Sequence, residues 1–324
     1  MKRILCIDGG GIKGVFPAAV LSKLEENLDH PITDYFDLIA GTSTGGIIAI
    51  GLAMGVPASD ILKLYEEQGP EIFNQTRPGL TGWLQRKLQG IRWLFKHKYS
   101  SSPLKQALEG VFADKTLGDA KNRLLIPAWH SLNKEVYVFK TAHHERLRND
   151  YKEKVVDVAL ATAAAPTFFK QHKIASGVSL VDGGIWANNP TGFAVVEALG
   201  VLGWKKEDIH VLSLSCLDEV GESKKSYGVG SFAPKMADWF ISGQSKGSLG
   251  IAHILTGDPH ERKAIHRVTK HVPEGFYALD NTAKIENLKD RAFAEARNKE
   301  PELREIFFKQ PAEPFKPIYG ANDD

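Results

Sequence analysis

Cysteine is nearly absent: two residues in 324, Cys6 and Cys216. Both lie in apolar runs, which excludes a disulfide-stapled scaffold and predicts two buried free thiols in a reducing compartment. A catalytic cysteine is the weaker reading of either. No run approaches the ~18 consecutive apolar residues of a spanning helix. The start, Met1-Lys2-Arg3-Ile4-Leu5, enters a short strand-like stretch too brief for a signal-peptide apolar region, so the cytosol is the expected location. Charge of one sign is also missing. There are 41 Lys and Arg against 39 Asp and Glu, a net +2, and the balance points to no nucleic-acid polymer or other polyelectrolyte partner.

What is present is a rhythm. Ile4–Ile7 is a short apolar run stopped by Asp8 and three glycines, a buried strand and a turn. Val15–Leu28 reads as a helix with Pro17 in its first turn. Phe36–Ala40 is a second strand, and Gly46–Met54 an apolar helix. Strand, turn, helix, repeated, is the signature of a parallel sheet with crossover helices, an α/β fold. Further on, Leu124–Ala128, Val136–Phe139 and Ser179–Val181 read as strands, and Ile209–Leu214 as the last clear buried one. Helices are expected over Ser59–Gln68, Ser102–Phe112, Val155–Ala165 and Pro190–Leu199. The expected division is a core over 1–216, a helical C-terminal elaboration over 217–310 and an extended proline-rich tail over 311–324.

Gly41-Thr42-Ser43-Thr44-Gly45 fits G-x-S-x-G between a strand and a helix, the setting in which such a serine stands exposed on a tight turn. The helix N-terminus then favours negative charge at its oxygen. The same residues also suit a glycine turn in which Ser43 only caps the helix.

Asp8-Gly9-Gly10-Gly11-Ile12-Lys13-Gly14 likewise follows a strand and opens a helix. Consecutive glycines turn backbone N–H groups into a concavity suited to an oxyanion, with Lys13 as an added positive charge. The stretch also matches G-x-G-x-x-G, the dinucleotide fingerprint. That fingerprint requires an acid at the tip of the next strand, about 20 residues on. Here the strand ends Ala40-Gly41-Thr42-Ser43, and Asp37 sits at the wrong end. No nicotinamide or flavin cofactor is expected, and no P-loop motif occurs. A nucleotide-binding signalling module using the glycine loop for phosphate remains the alternative to an enzyme.

A serine nucleophile needs a base. None of the eleven histidines falls in a glycine-framed turn after a strand, and most have polar neighbours in sequence. Asp182 does fall there, between Leu180-Val181 and Gly183-Gly184. Burial would raise its basicity, although a turn aspartate is the commonest fate of Asp-Gly.

In their order and spacing these three segments resemble the patatin-like phospholipase family. Ala163-Ala164-Ala165-Pro166 and Trp186-Ala187-Asn188-Asn189-Pro190 are similar to that family's segments around its aspartate. The resemblance covers about residues 3–200. It implies a three-layer α/β/α fold, a Ser43–Asp182 dyad without histidine and an oxyanion hole from Gly9, Gly10, Gly11 and Lys13. Gly14, Gly41, Gly45, Gly183 and Gly184 are the supporting motif positions. It implies acyl-ester hydrolysis of phospholipids or related lipids, with no metal and no cofactor. The motif region also resembles bacterial effectors of this family that cyclic nucleotides switch on in anti-phage defence, which implies a nucleotide activator bound at a place the sequence does not mark.

A lipid substrate requires peripheral contact with the inner face of the membrane. Ile72–Leu108 has no acidic residue and seven basic ones, Arg77, Arg86, Lys87, Arg92, Lys96, Lys98 and Lys105. Within 80–102, Trp83, Leu84, Leu88, Ile91, Leu94 and Phe95 form one helical stripe, the pattern of an interfacial helix or a lid, and equally of a helix packed on its own core. His260–His271 carries Arg262, Lys263, His266, Arg267 and Lys270, suited to a solvated helix face or to phosphate. The sequence is compatible with a homo-oligomer.

Overall fold

The computed structural model describes residues 1–73, 97–221, 236–257 and 263–320. Most of the basic, apolar-striped stretch at 80–102 lies outside the described residues, as do His260 and Arg262.

Alternation along the strands sets the layers. In β1 (Lys2–Ile7), Leu5 and Ile7 face one apolar cluster, while Ile4 and Cys6 face another. A strand buried on both faces reads as the continuous apolar run seen in the sequence. Helices α1 (Val15–Glu25), α2 (Thr44–Ala53), α3 (Ala58–Phe73), α4 (Ser102–Phe112) and α5 (Val155–Thr162) fill the first cluster. The short α6 (Gly184–Ala187) leads into α7 (Thr191–Gly200), which with α8 (Met236–Leu255) covers the second through Ala194, Val195, Ala198 and Ala252. The long α9 (Ile285–Phe307) returns to pack beside α1. The outcome is helices on both faces of one sheet, a three-layer α/β/α fold.

The sheet has eight strands. Its order is β5 (His172–Lys173), β6 (Ser179–Asp182), β3 (Arg123–His130), β2 (Leu38–Gly41), β1, β7 (Ile209–Leu214) and β9 (Ile265–Val268), with β4 (Glu135–Lys140) also paired to β3. From β3 through β9 the pairings are parallel; β4, β5 and β6 are antiparallel additions. A separate two-stranded ribbon joins β8 (Asp218–Val220) to β10 (His271–Pro273).

One expectation is corrected. Ile209–Leu214 is not the last buried strand, because β9 lies parallel against it. His266 and Arg267 at its centre interrupt the apolar run that would have marked it. The chain beyond 216 therefore adds to the core sheet as well as packing helices on it, and the basic stretch from Ile265 is strand rather than helix. Over its described residues, 311–320, the tail forms no helix or strand, but it is held where Ala312 N–H meets Asp34 O and Ile318 N–H meets Ala142 O, both at 2.7 Å.

Candidate active site

Strand pairing brings the site together. Trp129 pairs with both Val136 and Val181, and Leu125 with both Ala40 and Lys140. A strand has two edges, and β4 occupies one of them along Leu125–His130. Strands β2 and β6 therefore share the other edge, end to end. They run toward each other, β2 ending opposite Leu125 and β6 ending with Asp182 opposite Ala128. Residues leaving the two strand ends meet in the gap beside Ile126 and Pro127. Proline has no N–H to leave unpaired there, and its carbonyl accepts the Thr162 hydroxyl at 2.6 Å.

Ser43 and Asp182 occupy that gap, with Ser43 Oγ donating to Asp182 Oδ2 at 2.6 Å and both side chains buried. Ser43 has φ 57° and ψ −124°, a backbone conformation costing an L-residue about 1–3 kcal/mol. The strain is held from three sides. Ser43 N–H donates to Thr162 Oγ1 at 3.0 Å, and Thr42 Oγ1 donates to Ala187 O at 2.6 Å. The third side is contact with β1: a Cβ on Gly45 would stand 2.3 Å from Ile7 O, so only glycine lets α2 start this close to the strand. Gly9 is likewise enforced, since a Cβ there would meet Asn188 Oδ1 at 2.5 Å and Ser43 Cβ at 3.2 Å.

Burial pushes the Asp182 carboxyl up to about 6, against the opposing pull of hydrogen bonds from Ser43 and from Gly184 N–H at 2.7 Å. Among the described residues no histidine contacts Ser43 or Asp182. His143, which sequence context placed with polar neighbours, is buried and bonded to Glu197 at 2.9 Å, with its pKa lowered chiefly by that burial. Cys6 and Cys216 are free and buried, and burial raises both thiols far from the reactive range. No group of three His, Cys, Asp or Glu suited to a metal ion occurs among the described residues.

The glycine loop is fastened at both ends and open between. Gly9 N–H donates to Asn188 O at 2.9 Å, and Ile12 N–H to Leu279 O at 2.8 Å. Among the described residues nothing engages the N–H groups of Gly10 or Gly11. Thr44 N–H, at the first position of α2, is a third amide without a carbonyl one turn before it in the helix. The Gly9 amide is already spent, and Lys13 Nζ pairs with Glu219 at 3.1 Å. Gly14, Gly41 and Gly183 each stand where a side chain would strike a neighbour, at Gly183 Pro127 O, 2.3 Å away; Gly184 is tighter than usual, with Asp182 Oδ1 3.0 Å from where a Cβ would be.

Ser43, Asp182 and the glycine loop open into one cavity of about 900 Å³, at the upper end of the range for ligand sites. Its inner wall is apolar, with Ile47, Ile72, Phe73, Leu104, Phe168 and Phe169. Exposed apolar residues from the same lining include Ile185, Val220, Trp239 and Phe240, the last 65% accessible. No helix among the described residues is long and apolar enough to cross a membrane.

Two residues at the site carried no signal of their own: Thr162 and Asn188. Arg267 corrects the reading of the basic stretch, because it is largely enclosed on the cavity lining and grips Asp8, with Nη1 to Oδ1 at 3.0 Å, instead of standing on a solvated helix face.

Comparison with known proteins shows which sequences this chain is similar to. A family model described as Patatin-like phospholipase matches residues 5–195. A cGAMP-activated phospholipase of Pseudomonas aeruginosa is 38% identical over 258 residues, covering 78% of this chain and 74% of the relative. One of Vibrio cholerae is 30% identical over 304 residues, covering 89% and 84%. Patatin-like protein 2 of Oryza sativa is 34% identical over 215 residues, covering 59% of this chain and 51% of its own.

Proposed function

Because this chain belongs to the patatin-like phospholipases, a family of serine acyl hydrolases, we propose that it cleaves acyl esters of membrane phospholipids through a Ser43–Asp182 dyad. The observation that carries the reading is the buried 2.6 Å bond from Ser43 Oγ to Asp182, beside two unengaged amides in an apolar cavity. Asp182 accepts the hydroxyl proton as Ser43 attacks the ester carbonyl. The carbonyl oxygen gains charge and is met by Gly10 and Gly11 N–H. The tetrahedral intermediate collapses as the proton passes from Asp182 to the departing lysolipid oxygen. Water then attacks the acyl-enzyme, with Asp182 again as base, and releases the fatty acid. Losing one such amide costs on the order of 100-fold or more in rate.

The apolar wall suits an acyl chain, and the exposed aromatic residues at the mouth suit the lipid interface, where Trp and Phe are favoured. The relatives named for activation by cGAMP support a further element of the proposal, a chain held inactive until a cyclic dinucleotide binds. The test is fatty-acid release from mixed phospholipid vesicles, with and without cGAMP, by wild type, Ser43→Ala and Asp182→Ala. Release by wild type alone is the expected result. Full activity in Asp182→Ala would overturn the dyad. An inactive wild type that binds nucleotide through the glycine loop would favour the signalling-module alternative.

A further inference from the structure

The backbone that would receive the oxyanion is held almost entirely from the C-terminal part of the chain. Asp8, the residue before the glycines, is secured at every polar group. Its N–H donates to Leu214 O at 3.0 Å, its C=O accepts Cys216 Sγ at 3.2 Å, and its carboxylate takes both guanidinium arms of Arg267, at 3.0 and 2.5 Å. After the glycines, Ile12 N–H is tied to Leu279 O and Lys13 to Glu219. The Cβ of Cys216 lies 2.3 Å from where a Gly10 Cβ would be, so it packs directly on the loop. Among the described residues, of the fastenings that reach residues 8–13 from outside the loop, only Asn188 belongs to the stretch that the family model matches, 5–195.

We infer that Arg267, from β9, is a positioning residue for ester hydrolysis. By clamping Asp8 it fixes the direction of the Gly10 and Gly11 N–H groups. Arg267 is suited to this. Its Nη1 also donates to Ser213 Oγ at 2.7 Å, so β7 anchors the guanidinium while both arms hold the carboxylate. A planar fork with two parallel bonds sets an orientation as well as a distance. A buried ion pair contributes little net stability over an apolar pair, which makes orientation the stronger account of its presence. It also cancels the negative charge of Asp8 close to where the oxyanion develops. The chemistry tolerates little error, since displacement by about 1 Å costs roughly 100-fold.

This inference rests on Ser43 and Asp182 forming the hydrolytic dyad, and its test separates the two ideas. Arg267→Lys keeps the charge and loses the fork; Arg267→Gln loses both; Asp8→Asn removes the other partner. Each is assayed with cGAMP present on a soluble short-chain ester, well below its Tm, and for affinity toward a trifluoromethyl ketone, whose adduct with a serine mimics the tetrahedral oxyanion. The expected result is kcat lower by about 10-fold in Arg267→Lys and about 100-fold in Arg267→Gln, with KM within about twofold. Ketone affinity should fall by the same factor as kcat/KM, and Asp8→Asn/Arg267→Gln should be no worse than Arg267→Gln alone. A merely structural role lowers Tm and leaves ketone affinity unchanged. That outcome, with wild type binding the ketone tightly, overturns the positioning role and leaves the dyad standing. A wild type that hydrolyses the ester yet ignores the ketone, or a Ser43→Ala variant that keeps hydrolysis, overturns both.

Discussion

Asp182→Asn should make the protein more stable and nearly inactive, and both effects should depend on pH. Burial raises this carboxyl from 3.8 to about 6. A shift of roughly two units corresponds to about 3 kcal/mol, at about 1.4 kcal/mol per unit. The sign follows from linkage. Below 3.8 the group is protonated in folded and unfolded chains alike, and it costs nothing. Between 3.8 and about 6 the unfolded chain ionises while the folded one does not, so stability falls as pH rises. Above about 6 the folded chain carries the buried charge and the full cost persists. Asparagine removes the charge and keeps the bonding pattern, with Oδ1 still accepting Gly184 N–H and the amide donating to Ser43 Oγ. At pH 8 its Tm should exceed that of wild type by on the order of 5 °C, and at pH 4 the difference should vanish. Hydrolysis should drop by about 10²–10⁴-fold, the usual worth of a general base. In wild type, kcat/KM should fall about tenfold per pH unit below about 6 and level off above it. Calorimetry and a pH-stat assay check the two halves. A Tm gap that does not shrink on acidification refutes the buried-charge argument. A flat kcat/KM down to pH 4.5 refutes Asp182 as base.

Ser43→Gly should abolish fatty-acid release while raising stability by about 1–3 kcal/mol, because glycine adopts φ 57° without strain; denaturant unfolding measures it. Gly45→Ala should lose activity and about 1–3 kcal/mol or more of stability, since its Cβ meets Ile7 O and Asp8 O at 2.3 and 2.6 Å. His143→Ala should keep kcat within about twofold and lose about 1–3 kcal/mol, as it leaves Glu197 short of a buried partner; a large loss of kcat with intact folding would return histidine to the mechanism. Trp239→Ser with Phe240→Ser should slow hydrolysis of vesicles by about tenfold or more and spare a soluble ester, which a liposome-binding assay alongside both substrates resolves.

The parts legible in the sequence were those governed by short-range sterics. G-x-S-x-G and Asp-Gly-Gly mark places where neighbouring backbone excludes a Cβ, and that constraint is written in adjacent residues. The alternating layers showed because β1 and β7 are buried on both faces and read as unbroken apolar runs. What was hidden depends on contacts across long stretches of chain. Thr162 is an unremarkable residue at the end of a small-residue helix until Ser43 N–H reaches it. β9 was invisible because Arg267 turns inward to Asp8 from a strand centre where the pattern asks for an apolar side chain. The same inward turn removed Arg267 from the basic surface its neighbours suggested. Gly9 N–H is engaged by Asn188, a residue known beforehand only through family resemblance.

The missing histidine and the Asp-Gly-Gly turn, which the sequence presents as separate observations, follow from one arrangement. Two strands ending head to head along β3 bring their terminal residues into direct contact, and a Ser–Asp distance of 2.6 Å leaves no room for an imidazole between them. On the proposed mechanism the carboxylate must then do alone what a histidine does in a triad. At its ordinary 3.8 it would be a weak base at neutral pH; at about 6 it approaches the ordinary histidine value of 6.5. The closeness that excludes histidine and the burial that replaces its basicity have the same origin. The pairing that joins the two strand ends also takes the carboxylate largely out of solvent, and that burial raises its basicity.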